Sequence, residues 1–202
     1  MSRDLEYRIA LILIAAVHLA ISQRQLRRAG AGASAAGPRA EGFWLAAGTG
    51  LFFLTFCATA ALRLIAPDWL PWLELPLSGP LRWLGLALMS LGAALHLWGA
   101  RHLGRNLTVT ISTIEGHQLV TTGPYRWIRH PLYTGGMLES LGACLLLASG
   151  IVGASALAFW ILIVVRTPRE EARLLETFGA DYTRYAKQVG RFLPRRIPPR
   201  IV

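Results

Sequence analysis

Two clusters in this 202-residue chain carry side chains suited to chemistry. The first follows Gly104 and reads His117-Gln118-Leu119-Val120-Thr121-Thr122-Gly123-Pro124-Tyr125, then Arg129-His130-Pro131-Leu132-Tyr133 with Gly135 and Gly136 after it. It is too long and too rich in His, Tyr, Arg and Gly to be a tether. Pro131 suits the first position of a helix, where a missing N–H costs nothing, and this makes His130 its cap-like neighbour. The free amides and positive dipole end of such a helix would receive an anionic group beside His130 and Tyr133. A second reading, equally open on local physics, has Arg129 and His130 only marking a membrane surface. The other cluster is Arg166-Thr167-Pro168-Arg169-Glu170-Glu171. Thr167 followed three residues on by Glu170, with Pro168 at the first helical position, has the form of a capping box and explains those three residues without a ligand.

Three further groups need a physical account. Glu139 lies inside an apolar run, where a charge costs ~2.5–3.5 kcal/mol on insertion scales. It shares a helical face with Gly135 and Gly142 and so faces other helices, as a functional group or as a structural partner of His96 or Arg63. His18 and His96 read as packing histidines. Cys57 and Cys144 sit in apolar runs with no CxxC and no His at ligand spacing, which makes them small buried hydrophobes and leaves no metal site.

The elements that must position these groups are apolar. Hydrophobic residues make up 53% of the chain and charged ones 16%, where about 25% charged is ordinary for a soluble protein. That excludes a disordered chain, a coiled coil, a collagenous repeat and a disulfide scaffold. Five apolar segments stand out, Leu5 to Ile21, Phe43 to Ala66, Leu81 to Ala100, Tyr133 to Ala148 and Ile151 to Val165. The fold expected is an all-α polytopic integral membrane protein with about five transmembrane helices. The last two segments are short and separated only by Ser149 and Gly150, so they form a tight helical hairpin. The first could pass for a secretory signal with Ala33-Ser34-Ala35 as its cleavage site; Arg24, Arg27 and Arg28 directly behind it favour a retained helix. Gly85, Gly92 and Gly99 recur every seven residues and give the third span a face that allows close helix approach. The Gly- and Ala-rich stretch from Ala29 to Gly42 reads as a flexible loop.

The net charge of +10 comes from basic residues beside apolar segments, so membrane orientation explains it better than nucleic-acid binding. Arg24, Arg27, Arg28 and Arg39 follow the first span, and Arg101, Arg105, Arg126 and Arg129 lie in the third connection. Nine basic residues occupy the tail from Arg166. The connection from Pro67 to Pro80 carries Asp68, Glu74, Trp69 and Trp72 and no basic residue. The alternation puts the N-terminus outside and both chemical clusters in the cytoplasm. Past Arg166, Leu174, Leu175, Phe178, Tyr182, Tyr185 and Val189 recur at helical steps, an apolar face that Gly179 interrupts. Residues 1–100 thus read as a three-helix membrane region and 101–202 as the region that builds a cytoplasmic-side pocket.

In order, the words His117 to Tyr125, Arg129-His130-Pro131-Leu132-Tyr133, Arg166-Thr-Pro-Arg-Glu170-Glu171 and Phe178-Gly179-x-x-Tyr182-x-x-Tyr185 resemble the isoprenylcysteine carboxyl methyltransferase family, over about half the chain, from Asn106 to Pro194. The resemblance implies an integral membrane enzyme that uses S-adenosylmethionine without a Rossmann domain. By that likeness His117, Gln118, Leu119, Val120, Tyr125, His130, Pro131, Leu132, Tyr133 and Glu170 line the cofactor pocket. It also makes Arg166 and Glu170 the catalytic pair, Arg166 facing a lipophilic methyl acceptor. Thr110 stands where the family carries glutamine, which alters one polar cofactor contact. The Arg- and Ala-rich, Lys-poor composition is that of a high-GC bacterium, so the membrane expected is a bacterial inner membrane. Within the same fold a phospholipid amine, a small thiol or a quinone-like lipid are alternative acceptors. An NADPH-dependent sterol-type reductase and a non-catalytic membrane protein are the alternatives of other classes.

Overall fold

The computed structural model describes residues 5–7, 9–10, 12–13, 16, 40–65, 74–104 and 118–195. His18, most of the loop from Ala29, the four arginines from Arg24 to Arg39, Trp69, Trp72, Thr110, His117 and the Arg63 side chain lie outside the described residues. The described part of the first apolar segment is helical. Four long helices follow: α1, Ala40–Ile65; α2, Gly79–Leu103; α3, Pro131–Leu147; and α4, Gly150–Gln188. A 3-10 turn at Gly123–Arg126 precedes α3. Among the described residues β structure is limited to two isolated bridges, Glu74 with Ser149 and Ile128 with Gly190. The all-α expectation holds.

Helix boundaries follow local chemistry. In α2 a proline sits in the first turn, Arg101 and His102 complement the C-terminal dipole, and Gly104 closes it at φ 52°. In α3 Pro131 opens the helix with His130 at the cap position, as the sequence predicts. Ala148 ends α3 in the left-handed region (φ 48°, ψ 47°), and Ser149 then caps α4, so the hairpin turns in two residues. Helices α2 and α4 are long and apolar enough to cross a bilayer, with mean hydropathy 1.4 and 1.9 over their best windows. The 17 residues of α3 extend roughly 25 Å.

Close packing of α2 on α3 is what the glycines permit. A Cβ on Gly92 would lie 2.6 Å from the Gly135 carbonyl oxygen, and one on Gly142 would lie 2.5 Å from that of Gly85. The two backbones therefore touch through glycines on both helices, and Gly99 extends the seam to Leu132 and Pro131. Within it His96 Nδ1 lies 3.7 Å from Glu139 Oε1, so His96 is a structural partner of that carboxylate. Helix α1 meets α4 through stacked Phe52 and Phe159, centroids 5.7 Å apart. Trp160 Nε1 donates to Ser140 Oγ at 2.8 Å and ties α4 to α3. At the hairpin end the Leu75 amide donates to Ala148 O at 2.8 Å, and Arg82 Nε donates to Leu146 O at 3.1 Å while its guanidinium covers the Tyr7 ring. The first segment, α2 and the hairpin are thereby joined at that end.

Two expectations need correction. No capping box starts a helix at Thr167: α4 runs straight through, with Pro168 inside it. Thr167 is fully buried and its Oγ1 donates to Ile163 O at 2.7 Å, a back-bond available only inside a helix. A proline is tolerated there because packing against neighbouring helices outweighs one lost backbone bond. The break comes instead at Gly179, whose φ of 52° and ψ of −122° are non-helical. Cys57 is exposed rather than buried, whereas Cys144 is half-buried with Sγ 3.7 Å from Ser149 O. The predicted face of the C-terminal stretch is largely present, since Tyr182, Tyr185 and Val189 pack with Leu174, Phe178 and Leu119. Leu175, 47% exposed, lies off it.

Candidate active site

At the end of the bundle opposite the hairpin, the start of α3 meets the polar extension of α4. The approach to α3 is fixed by backbone pairing with the segment after α4: the amides of Arg129 and His130 donate to Gly190 O and Arg191 O at 2.8 and 3.1 Å. Thr134 Oγ1 reaches Phe192 O at 2.8 Å. Tyr185 Oη donates to Tyr125 O at 2.7 Å, fastening the 3-10 turn to the end of α4. Gly123, at φ 60°, sits so close over the His102 ring that a side chain there would collide with it.

Two successive carboxylates divide the site. Glu170 Oε2 accepts from Tyr133 Oη at 2.7 Å. Glu171 Oε1 accepts from Arg129 Nε at 3.0 Å, and its two oxygens take Nε and Nη2 of Arg191 at 3.1 and 2.5 Å. His130 Nε2 also lies 3.1 Å from Glu171 Oε1, while its Nδ1 is 4.0 Å from Glu170 Oε1. The His130 and Tyr133 rings stack at 5.5 Å and 10°. Burial by itself would raise the Glu171 carboxyl; the hydrogen bonds from His130 and Arg191 and the nearby charge of Arg129 outweigh it and bring the pKa down to about 2.

Arg166 lies one turn before Glu170, on the same face of α4. It is 8% exposed, and its Nε and Nη1 are buried without a hydrogen-bond partner among the described residues. The same holds for the hydroxyls of Tyr125 and Tyr182. Burial, then the proximity of Tyr185, of the Glu170 carboxylate and of Tyr133, push the Tyr125 phenol up. Burial and then Glu171 do the same for Tyr182. Both phenols therefore remain donors. Unpaired buried donors are costly unless something accepts from them. A guanidinium and two phenols without acceptors, next to a carboxylate, suit a ligand that carries both acceptor and donor groups.

Of the residues singled out in the sequence, Tyr125, His130, Pro131, Tyr133, Arg166 and Glu170 come to this end of the bundle. Leu119 packs on the Tyr182 and Tyr185 cluster; Val120 is half-buried and Gln118 exposed. Leu132 faces Gly99 on the α2 side. His117 lies outside the described residues. Sequence reasoning gave no role in the site to Glu171, Arg129 or Arg191. The Glu170-Glu171 doublet was a signal for the first of these; nothing local marks Arg191, whose partner is 20 residues away.

Residues 83–176 match the model of the isoprenylcysteine carboxyl methyltransferase (ICMT) family. Protein-S-isoprenylcysteine O-methyltransferase of Homo sapiens is 35% identical over 113 residues, 54% of this chain and 40% of that protein. Protein-S-isoprenylcysteine O-methyltransferase B of Arabidopsis thaliana is also 35% identical, over 54% of this chain and 57% of its own length. The chain spans about half the length of the curated relatives it matches. Among solved structures, the eukaryotic intramembrane Ras methyltransferase ICMT superposes with a TM-score of 0.53 at 29% identity, over 78% of this chain and 54% of the other. The matched segment holds α3, the Arg166 to Glu171 stretch and nearly all of α2, and so carries His130, Tyr133, Arg166, Glu170 and Glu171 of the site described above. Through it, the chain resembles the isoprenylcysteine carboxyl methyltransferase family.

Proposed function

We propose that the protein is an integral membrane S-adenosylmethionine-dependent methyltransferase that methylates a carboxylate on an isoprenylcysteine-like or other lipophilic acceptor. The observation that carries this reading is Arg166, buried at the end of the apolar part of α4 with Nε and Nη1 unpartnered among the described residues. A guanidinium in that state suits bidentate capture of a carboxylate.

The donor set also fits the cofactor. When bound, S-adenosylmethionine supplies an electrophilic methyl group on a sulfonium. Tyr125 and Tyr182, as unpaired phenol donors, suit acceptors such as purine nitrogens and a carboxylate, and Glu170, held by Tyr133, suits an amine or hydroxyl donor. Leu119, Val120 and Pro131 would extend the wall beside His130 at the helix start, whereas Leu132 meets Gly99 of α2 and Gln118 is exposed. A carboxylate acceptor is already ionised at neutral pH, so no general base is needed. The work left to the chain is to align two reactants and exclude water. The positive-inside pattern orients the site to the cytoplasm, with the N-terminus outside, and the composition suits a bacterial inner membrane.

The test is methyl ester formation on a prenylcysteine analogue by the detergent-purified protein. Arg166→Ala is expected to lower kcat/KM by about 100-fold, a loss of the size expected when a charge-assisted bidentate contact disappears. Arg166→Lys, which keeps charge but not the fork, should fall between. Full activity in folded Arg166→Ala would refute the role.

A further inference from the structure

Glu171 makes more polar contacts than any use in binding would leave room for. An ionised carboxylate only accepts hydrogen bonds. Three donors already converge on its Oε1: Arg129 Nε at 3.0 Å, Arg191 Nε at 3.1 Å and His130 Nε2 at 3.1 Å. Oε2 takes Arg191 Nη2 at 2.5 Å. The last of the Oε1 contacts is a hydrogen bond only if Nε2 carries a proton. In a neutral imidazole Nδ1 is then the acceptor. Glu170 does not compete for the ring proton, since its nearest oxygen is 4.0 Å from Nδ1, beyond hydrogen-bond reach. Nor do the two carboxylates exchange roles. Successive helix positions point about 100° apart, which sends Glu170 to Tyr133 and the Arg166 face and Glu171 to the other side of the histidine.

We propose that Glu171 is a positioning residue: with Arg129 and Arg191 it forms a clamp that holds His130 with its proton on Nε2 and leaves Nδ1 as a hydrogen-bond acceptor for a donor group on the cofactor side. The purpose of the clamp rests on the methyltransferase reading; the tautomer is a property of the chain alone. The clamp is rigid on every side. Arg129 Nη1 donates to Ala186 O and Val189 O at 2.7 and 2.5 Å, so the arginine is fixed to the end of α4 before it reaches Glu171. The imidazole lies between Tyr133, stacked at 5.5 Å, and Phe192 at 5.9 Å, and the His130 amide is bonded to Arg191 O. Arg191 and Phe192 lie beyond residues 83–176, the segment matched by the family. The segment after α4 thereby becomes a working part of the site.

The experiment is nitrogen-15 NMR of protein labelled at the histidine rings, in detergent and without cofactor, with His130 assigned by its loss in His130→Gln. Isothermal titration with S-adenosylhomocysteine runs alongside. In the wild type His130 is expected with a protonated Nε2 and a bare Nδ1. Glu171→Ala should give mixed tautomers and weaken binding at least about tenfold, the scale of one charge-assisted hydrogen bond. Should Glu171→Ala fail to fold, Arg191→Gln decides, because Arg191 is largely exposed; it should shift both readouts the same way by a smaller amount. A wild-type proton on Nδ1 overturns the proposal. So does an unchanged tautomer and affinity in whichever variant folds. If the wild type binds no S-adenosyl compound, the functional reading falls while the NMR result still judges the clamp.

Discussion

Glu170 and Glu171 are neighbours in sequence with different work, and nothing in the doublet itself tells them apart. The capping-box reading gave Glu170 a backbone role at a helix start; the structure releases it from that role because α4 does not begin there. What assigns the two carboxylates is long-range: Tyr133 is 37 residues from Glu170, and Arg129 is 42 from Glu171. Arg166, Tyr133 and His130 were legible as chemistry-bearing residue types, yet the unpaired state of Arg166 is visible only in three dimensions. The pH behaviour of Glu171 follows from its partners. Its folded pKa of about 2 lies below the ~4.3 of a free glutamate. The stability it contributes is therefore fully present above about pH 5 and is lost as pH falls from roughly 4.3 toward 2. Between pH 5 and pH 3 the thermal midpoint of the wild type should fall by more than that of Glu171→Gln. Equal falls would show that the carboxylate is not held as described.

Helix α3 and its packing partner α2 were readable as elements because glycines spaced by seven, Gly85, Gly92 and Gly99, make a periodic signal, and Gly135 and Gly142 repeat it on the partner. The same periodicity placed Glu139 on the shared face, where His96 meets it. A side chain at Gly92 would meet backbone rather than flexible side chains. Gly92→Val should thus cost about 1–3 kcal/mol or more through forced separation of the helices, and Gly50→Ala, in open space on α1, should cost well under that. Equal thermal midpoints for the two variants would argue against the seam. The start of α4 was legible from the short spacer between two apolar runs. Its continuation past Val165 was not, because Thr-Pro-x-Glu is a starting signal by local rules and only tertiary packing keeps the helix going.

Among the described residues Arg129, Arg166 and Arg191 lie at the site end, and the hairpin end holds Arg82 and is joined to the connection containing Glu74. An alkaline phosphatase reporter inserted after Leu77 should be active outside the membrane, while a fluorescent protein fused to the C-terminus should fold inside; the opposite pattern would invert the orientation. The membrane class was carried by composition and the family likeness by a handful of ordered words, whereas the use of the segment after α4 had no sequence signal. The most direct measurement of the central claim is calorimetric titration of the detergent-purified protein with S-adenosylmethionine and S-adenosylhomocysteine, with NADPH in parallel. Tyr133→Phe, which removes the hydroxyl that holds Glu170, and Glu170→Ala serve as comparisons. Micromolar binding of both S-adenosyl compounds, weakened about tenfold or more in each variant, is the expected result. Folded wild-type protein that binds neither compound, or that binds NADPH instead, would contradict the methyltransferase reading.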